Sequence, residues 1–553
     1  MSFRKSTQHV AFRRPVSTRA VAHETETRFR SFIPIITSQQ VANFNVLQID
    51  PRGGDLAQAK GRTNSIASAN HEKPLPVYHS SDDDVPFVPE GTLHVSFAKG
   101  QSGADMAAFA KARNLRFLGG PQDGFYTLDV RHHRDGDAVE IAKSLQESEF
   151  IATAEPDLCT PASFLMQLPS DPLFANQWHL RNTGVHNDIA TFSLKQGADA
   201  RVIDAWERMG HMGNPDVVLS MIDDGFDLQH PDLSGISVHA HDFVRDSDDV
   251  RPEPDRNDAT AGDWHGTACA GLAVARAGTG KTVGVAPNAK FMPLRMARHL
   301  SPADVANWFD YATEKGAWVI SASWNAKAKI YPLPERIHQA LSRAATQGRG
   351  GKGTVLVFAA GNSGQDINDA PNSLNGYAIH PDVLAVAAST SVDTRASYSD
   401  TGAEIAVCAP SGGRGGMGVT TDDASGTYID AGGDTVSMGY IDGSYNSSFS
   451  GTSAACPVVA GVCALVLGAN PNLTASETRA IIRQSARAIG DPSDYVNGHS
   501  RQYGHGCVDA DAAVAMAQSI GQEPALLSEL HTRTGFGDLA VLNVTPPQSK
   551  QRT

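Results

Sequence analysis

From about residue 170 to residue 520, short apolar runs alternate with stretches of helical periodicity. The runs at 217–222, 318–320 and 354–360 are apolar almost throughout, which is typical of strands buried on both faces. Helical spacing occupies residues 302–315, 333–347 and 475–485. Strands that are connected through helices form parallel sheets, because the chain must return to the same end of the sheet. The pattern predicts an α/β domain with a largely parallel sheet over residues 165–520.

A smaller pattern precedes this domain, at residues 86–160. Alternating residues predict strands at 92–97, 124–130 and 150–154, and amphipathic spacing predicts helices at 104–115 and 137–145. The order is β-α-β-(β)-α-β, in which one strand is not located by its own pattern. An order and size of this kind predict a small α+β sandwich.

The two ends of the chain carry little periodicity. Residues 1–85 are polar and mixed, and the serines and aspartates at 80–84 resemble a linker. We expect this region to be mostly extended or disordered, apart from a short apolar piece at 32–36. Residues 521–553 are expected to form a weakly structured C-terminal tail.

Composition argues against several classes of protein. A formal net charge of −14 argues against a general nucleic-acid binder, and six scattered cysteines without a CxxC pair indicate free thiols. The longest nearly apolar run, 456–469, is too short to span a bilayer, and residues 1–23 lack the apolar segment of a secretory signal. We expect no membrane partner and a cytoplasmic location, with secretion by a non-standard route left open.

Residues 449–457, FSGTSAACP, place a serine just ahead of a proline and a long apolar run. Proline is tolerated in the first turn of a helix but not in its interior, so a helix is predicted to begin near Ser453. A hydroxyl there lies at the positive end of the helix dipole, which suits a nucleophile. The same position suits an ordinary N-cap, and the motif alone does not decide between the two.

Three more polar residues lie at the ends of predicted elements. Asp223 and Asn362 follow strands, and His265 opens an apolar helix. Pockets of α/β sheets form at such strand ends. A serine nucleophile needs a histidine base, the histidine needs a carboxylate, and the oxyanion needs a donor. Taken singly, Asp223 could form a turn, His265 could be a capped core histidine and Asn362 could be a left-handed turn residue. Their occurrence together with Ser453 favours a catalytic set.

Four short motifs resemble the signature blocks of the subtilisin-like serine proteases. They are Asp223-Asp224-Gly225, His265-Gly266-Thr267, Ala360-Gly361-Asn362 and residues 451–457. The order Asp, His, Ser along the chain is also the order of that family. The resemblance covers about residues 170–516 and leans toward the kexin-like, proprotein-convertase branch. It implies the three-layer α/β fold of subtilisin.

The resemblance also implies a serine endopeptidase with a peptide or protein substrate. Asp223 would orient His265, which would act as general base and then as general acid. Ser453 would attack the carbonyl carbon, and Asn362 would donate to the oxyanion together with the Ser453 backbone N–H. No cofactor is required for this chemistry.

The resemblance implies a substrate groove as well. Its expected residues are Asp224, Ser321, Ala322, Ser323, Trp324 and Gly361. Kexin-like proteases cut after basic residues and line the first pocket with acids, whereas the matching stretches here read Asn-Ala-Lys-Ala-Lys at 325–329 and Asn at 375. A neutral or acidic P1 residue is therefore expected, while Asp224 matches the acid that favours a basic P2 residue.

A structural calcium ion is a further implication of the resemblance. Asp171 and Asp232 match two carboxylate positions of a calcium site in the family. The third contributor is a loop rich in asparagine, but residues 276–281 here contain a lysine and no asparagine. Hard cations need several oxygen ligands, so the sequence leaves calcium at this place open.

The domain at 86–160 resembles the ferredoxin-like propeptide, or inhibitor-type, domain of these proteases. It implies a self-processing zymogen that is cut between about Leu158 and Asp171 and that has its own N-terminal domain as a partner. The alternative is a permanently attached accessory domain. Two other functions stay open from the sequence, a dedicated peptide-tailoring protease or macrocyclase, and a catalytically idle peptide-binding module.

Overall fold

The computed structural model describes residues 86–520 with short gaps, and four strands ahead of them. The gaps are 99–102, 123, 132, 134–136, 161–165, 186–192, 256–257, 259–260, 414–415 and 442. The expected C-terminal tail and the parts of residues 1–85 between the four strands lie outside the described residues.

The four N-terminal strands are β1 (Phe3–Phe12), β2 (Ile35–Val41), β3 (Phe44–Ile49) and β4 (Leu75–Ser80). β1 pairs antiparallel with β3 and β4, and β4 pairs with β5 (Pro86–Phe97) of the following domain. These stretches are extended, as one part of the expectation has it, but the sequence analysis did not predict their pairing into strands, because pairing with neighbouring strands decides β-structure more than local composition does. The last two residues of the apolar piece at 32–36 belong to β2, and the others lie outside the described residues.

The small domain has the predicted α+β order. Its further elements are α1 (Gly103–Ala112), β6 (Arg116–Gln122), β7 (Phe125–Asp129), α2 (Ala138–Gln146) and β8 (Ile151–Cys159). The strand order is β8-β5-β7-β6 and every neighbouring pair is antiparallel. β6 is the strand that the sequence pattern did not locate. Leu93 and Leu128 of the sheet share one core with Phe109 of α1 and Leu145 of α2, so the two helices cover one face.

The central sheet of the larger domain is parallel throughout. Its strands are β9 (Val218–Asp223), β10 (His241–Asp242), β11 (Lys290–Arg295), β12 (Val319–Ala322), β14 (Val355–Ala359), β17 (Val383–Ser389) and β18 (Ile405–Pro410). Their order is β10-β11-β9-β12-β14-β17-β18, and each neighbouring pair is parallel. This confirms the predicted sheet, and it brings the carboxyl ends of β9, β12 and β14 to one edge.

Helices cover both faces of the sheet and make the three predicted layers. They are α3 (Val202–Met209), α4 (His265–Val274), α5 (Pro302–Glu314), α6 (Glu335–Gly351), α7 (Thr452–Ala469), α8 (Ala475–Ser485) and α9 (Ala510–Ser519). Met221 and Val357 pack in the core that includes α4 and α7, whereas Ile222 and Phe358 pack in the core that includes α5 and α6. Successive strand residues therefore enter opposite cores, which explains why the strands are continuously apolar.

Short strands outside these two sheets shape the loops. They are β13 (Ile330–Tyr331), β15 (Asn368–Asp369), β16 (Ser373–Asn375), β19 (Val419–Asp422), β20 (Thr427–Ile429), β21 (Thr435–Ser437), β22 (Tyr445–Phe449), β23 (Tyr495–Val496) and β24 (His499–Ser500). β19 pairs with β22, and β22 leads directly into α7.

Helix α7 is the one described helix that is long and apolar enough to cross a membrane. It has 18 residues, which is more than the run at 456–469 indicated, so its length alone does not exclude a span. Because 89% of it is buried inside the protein, it is a core helix of this fold. Its interior Pro457 lies in the second turn, where the helix continues through it.

Candidate active site

Asp223 and His265 meet at the carboxyl edge of the central sheet. Asp223 is the last residue of β9 and is 2% exposed, and His265 is the first residue of α4. The two side chains form a hydrogen bond of 2.8 Å between Asp223 Oδ1 and His265 Nδ1. The imidazole of His265 remains 24% exposed, so one side of the ring faces the solvent while the other contacts a buried carboxylate.

This contact determines the protonation of the imidazole. With Nδ1 donating to the carboxylate, the neutral ring presents Nε2 as a free base. Burial lowers the pKa of His265, but the Asp223 carboxylate and, after it, the Cys269 sulfur together hold this pKa well above its usual value. The Sγ atom of Cys269 lies 3.8 Å from Nδ1 on the next turn of α4.

Ser453 is the second residue of α7, and it does not cap the helix. The N-cap is Gly451, which has a φ of +89° that favours glycine, and no side chain caps the first turn. The Ser453 hydroxyl donates to the carbonyl of Ser323 at 3.2 Å. Among the described residues it makes no hydrogen bond to His265. The N-cap alternative for Ser453 is therefore wrong, and its hydroxyl remains available for another role.

Asn362 lies beside the start of α7. Its Oδ1 accepts the backbone N–H of Thr452 at 2.8 Å and the Thr452 hydroxyl at 2.9 Å. A backbone N–H can only donate, so the oxygen faces Thr452 and Nδ2 is left as a donor. In the described structure Gly361, with a φ of +121°, takes the strained turn position, and Asn362 has no left-handed backbone. The turn alternative for Asn362 is therefore wrong.

Thr452 is a functional residue that the sequence analysis did not single out. Its hydroxyl accepts the N–H of Gly361 at 3.2 Å while it donates to Asn362. It therefore links the loop after β14 to the start of α7. Its place next to Ser453 was visible in the sequence, but its partner 90 residues earlier was not.

The expected groove residues differ in their access to a substrate. Ser321 and Ala322 lie inside β12 and are fully buried, so their side chains are not available to a bound peptide. Trp324 is partly exposed, and its indole N–H donates to the carbonyl of Ile222 at 2.7 Å. Ser323 is 5% exposed and its hydroxyl donates to the Ser453 carbonyl at 3.2 Å.

Asp224 lies next to the catalytic candidates and is half-buried. Its Oδ1 accepts the backbone N–H of Gly266 at 2.9 Å, which helps to fix the start of α4. Burial, and then repulsion by the Asp223 carboxylate, raises the pKa of Asp224 to about 7. Its carboxylate would gain from a cationic partner, which is consistent with the expected basic P2 residue.

Asn375 ends β16 close to the loop that carries Asn362. Its Nδ2 donates to the Ala360 carbonyl at 3.0 Å, and its Oδ1 accepts the N–H of Ala378 at 3.3 Å. The side chain is thus neutral and hydrogen-bonded at the place where the kexin-like pattern has an acid. Lys327 and Lys329, in the other stretch that was compared with the kexin-like pattern, are exposed.

A hairpin that the sequence analysis missed lies beside His265. It consists of β20 and β21, and the segment after it is held by Asp423, whose carboxylate accepts the backbone N–H groups of Tyr440 and Ile441 at 2.8 and 3.1 Å. The ring centroids of Tyr440 and Phe449 are 5.9 Å apart, as are those of Phe449 and His265. Tyr440 and Ile441 are 45% and 41% exposed and form an apolar border to the site. The sequence of β20 and β21 has no periodicity from which the hairpin could have been predicted.

The two candidate calcium ligands lie away from this edge and face the loop at 276–282. Both oxygens of Asp171 accept the N–H of Gly278, at 2.8 and 3.0 Å. Asp232 is fully buried and accepts the N–H groups of Lys281 and Thr282 at 3.2 and 3.3 Å. The structure thus brings both carboxylates to the predicted loop.

Comparison with known proteins agrees with this geometry. A profile described as the subtilase family, peptidase S8, matches residues 214–506. The chain is 34% identical over 465 residues to the calcium-dependent protease of Nostoc sp., covering 79% of this chain and 64% of that protein. It is 30% identical over 362 residues to Kexin of Saccharomyces cerevisiae, covering 63% of this chain and 40% of that protein.

A crystal structure of the serine protease of Aeromonas sobria shares the fold, with a TM-score of 0.54 and 22% identity over 65% of this chain and 69% of that one. The chain spans 64% and 40% of the lengths of the two relatives above. The similarity to Kexin agrees with the kexin-like character of the motifs. The matched residues exceed half of the 553 in the chain and include all four candidate catalytic residues. The chain therefore belongs to the subtilase family.

Proposed function

We propose that this chain is a serine endopeptidase that uses Ser453 as nucleophile and His265 as base. The observation that carries the proposal is the hydrogen bond between buried Asp223 and His265 at the strand edge that also holds Ser453 and Asn362. Ser453 Oγ attacks the substrate carbonyl carbon while His265 Nε2 takes its proton. Catalytic hydrogen bonds of unliganded sites are often loose and tighten with substrate, which accounts for the present contact of Ser453 with Ser323.

The tetrahedral intermediate needs donors for its oxyanion. Asn362 Nδ2 and the Ser453 backbone N–H supply them, and the Thr452 contacts hold the amide before substrate arrives. His265 then gives its proton to the leaving amine, and an acyl-enzyme remains. Its hydrolysis needs water at His265, and the 24% exposure of this side chain leaves water access.

Covalent labelling with a fluorophosphonate tests the catalytic set without a substrate. We expect one adduct, mapped to Ser453, and a labelling rate that rises with pH through an apparent pKa above about 6.5, because the raised pKa of His265 must be exceeded before the ring can act as base. Asp223→Asn should slow labelling by about 10⁴-fold, since an amide at this place favours the wrong tautomer.

Ser363→Ala is the matched control, because Ser363 is exposed next to Asn362 and should label like the wild type. Labelling of Asp223→Asn at the wild-type rate would contradict the catalytic set. No labelling of the wild type would favour the idle peptide-binding module.

We further propose that the domain at 86–160 is a propeptide that the enzyme removes from itself. β8 ends at Cys159, and the first short helical turn of the catalytic part begins at Phe174. Supporting this proposal are the domain's βαββαβ order and its position directly before the catalytic part. Within the interval from about Leu158 to Asp171, cleavage after Cys159 would separate the two and leave every described element of both intact.

Intact mass of the purified full chain tests this processing. The wild type should separate into two products cut between Leu158 and Asp171, and Ser453→Ala should keep its full mass, because the nucleophile is lost. Equal cutting of both proteins would mean an external protease. An unlabelled wild type that keeps its full mass, although a separate sample of it reacts with the fluorophosphonate at Ser453, would mean that the domain is a permanent part.

We propose that the first pocket prefers a neutral P1 residue. Asn375 is already occupied by two backbone contacts and offers no charge to a basic side chain. With peptides that differ only at P1, leucine should be cleaved with a higher kcat/KM than arginine. Asn375→Asp should raise kcat/KM for P1 arginine by about tenfold, which corresponds to about 1.4 kcal/mol of added charge interaction.

Asn472→Asp makes the same substitution at an exposed position away from the site, and it should leave kcat/KM unchanged for both peptides. A wild-type preference for P1 arginine, or an Asn375→Asp variant with unchanged selectivity, would contradict this role of Asn375.

We propose that Asp171 and Asp232 hold no calcium ion in this chain. Backbone N–H groups of the loop donate to both carboxylates, so donors lie where a cation needs oxygen ligands. Behind them lies fully buried Asp422, which binds the Thr282 hydroxyl at 2.5 Å. Burial, and then Asp232, raises the pKa of Asp422 well above its usual value.

Chelation tests this conclusion. EGTA should leave the melting temperature and the peptide hydrolysis of the purified enzyme unchanged. An ion present at a hundred times its Kd would add about 2.7 kcal/mol of stability, so its removal would be easy to measure. A melting temperature that falls with EGTA and recovers with calcium, but not with magnesium, would contradict the conclusion.

A further inference from the structure

A short segment between β17 and β18 holds the loop that carries Asn362. We call Tyr398, Ser399 and Asp400 the clamp segment. The Ser399 hydroxyl accepts the backbone N–H of Ala388 in β17 at 2.9 Å, so the segment is attached to the central sheet. The loop at 361–365 follows β14, which is the neighbour of β17 in that sheet.

Asp400 forms hydrogen bonds to the backbone on both sides of Asn362. Its N–H donates to the Gly361 carbonyl at 3.0 Å, and its Oδ1 accepts the N–H groups of Ser363 and Gln365 at 2.8 and 2.9 Å. Asp400 is 8% exposed, and a buried carboxylate needs such donors to offset the loss of its hydration. These bonds hold the backbone of the loop and leave the Asn362 side chain free to donate.

The second carboxylate oxygen of Asp400 lies where a side chain at position 361 would be. A Cβ atom on Gly361 would lie 2.2 Å from Oδ2, and the φ of +121° favours glycine as well. Burial raises the pKa of Asp400, and the N–H groups of the loop oppose this rise. Both oxygens of the carboxylate thus lie against the turn that contains Asn362.

Tyr398 connects the same loop to the start of α7. Its carbonyl accepts the N–H of Gly364 at 2.8 Å, and its hydroxyl accepts the N–H of Gly451, the N-cap of α7, at 2.9 Å. The same hydroxyl donates to the carbonyl of Gly412. Because Gly451 precedes Ser453 by two residues, the clamp segment bonds to the backbone within two residues of both groups that would donate to the oxyanion.

We propose that Asp400 is a positioning residue that acts through the Asn362 amide. The inference rests on the proposed peptidase function and deepens it. Thr452 fixes Oδ1 of Asn362, but the direction of Nδ2 also depends on the backbone that carries the side chain. Oxyanion donors must be in place before the charge develops, because their reorganisation would cost free energy. A misplacement of about 1 Å can lower a rate by about 10²-fold.

The competing interpretation is a carboxylate that only stabilises a turn. Aspartates that do so accept N–H groups close to them in sequence, whereas Asp400 accepts from residues 37 and 35 positions earlier. A purely structural residue would change the fraction of folded enzyme and leave each folded molecule equally active. The two interpretations therefore differ in the kcat per active site.

Steady-state hydrolysis of one peptide tests the proposal, with the concentration of active sites titrated by a fluorophosphonate at Ser453. Asp400→Ala should lower kcat by about 10- to 100-fold and change KM by less than about threefold, because the oxyanion is present only in the transition state. Asp400→Asn keeps an acceptor oxygen for the two N–H groups, so it should retain the wild-type kcat within about threefold.

The double variant Asn362→Ala/Asp400→Ala provides the sharpest readout. Asn362→Ala alone should lower kcat by about 10²–10³-fold, a range measured for one oxyanion donor in subtilisin itself. If Asp400 acts through this amide, the double variant should match Asn362→Ala within about threefold, because the group to be positioned is already absent. Independent effects would multiply, and the double variant would lose about a further 10- to 100-fold.

Asp509→Ala is the matched control. Asp509 is also buried, and its Oδ1 accepts the N–H of Ala512 at the start of α9. This variant should lower the melting temperature and keep the kcat per active site. If Asp400→Ala does not fold, Asp400→Thr fills more of the buried space and should show the same loss of kcat, because its hydroxyl is one bond closer to the backbone than the carboxylate oxygens.

Three results would overturn the proposal. An active wild type whose kcat is unchanged in Asp400→Ala, or a double variant in which the two losses multiply, would mean that Asp400 does not act through Asn362. A wild type that neither labels at Ser453 nor cleaves the peptide would overturn the proposed peptidase function, and this inference with it.

Discussion

The hydrogen bond between Asp223 and His265 is the interaction on which the active site depends. Burial of the Asp223 carboxylate, which is 2% exposed, costs desolvation free energy. The hydrogen bond of 2.8 Å from the His265 imidazole offsets part of this cost. The bond also selects the tautomer that leaves Nε2 free. Because β9 lies in the middle of a sheet that is covered on both faces, the carboxylate is held at a rigid strand end.

A set of buried ion pairs also holds the start of α4, and with it His265, in place. Arg295, the last residue of β11 and 5% exposed, donates to Asp242 at 2.9 Å and to Asp263 at 2.6 Å. Since Asp263 precedes His265 by two residues, these contacts tie the start of α4 to β10 and β11. Loss of one partner of such a buried set costs about 3–5 kcal/mol, so the position of the imidazole is well protected.

Much of the fold was predictable because its signals are local. The continuous apolar runs of β9 and β14 and the periodicity of α5 and α8 were read correctly from the sequence. The N-terminal strands were missed, because their pairing with one another, and that of β4 with β5, has no local signal. The apolar run of α7 was read as too short to span a bilayer, and only its burial in the core settles its place.

The four catalytic candidates were predictable as residues, but not as a site. Sequence alone determined which side chains stand at strand ends, since hydrophobic period and turn residues are properties of neighbouring positions. It could not decide whether Ser453 caps its helix, nor find Thr452 as the anchor of Asn362. It also could not show that loop N–H groups donate to Asp171 and Asp232. Those contacts join residues 49 to 130 positions apart, and only the packing of the tertiary structure brings their donors and acceptors together.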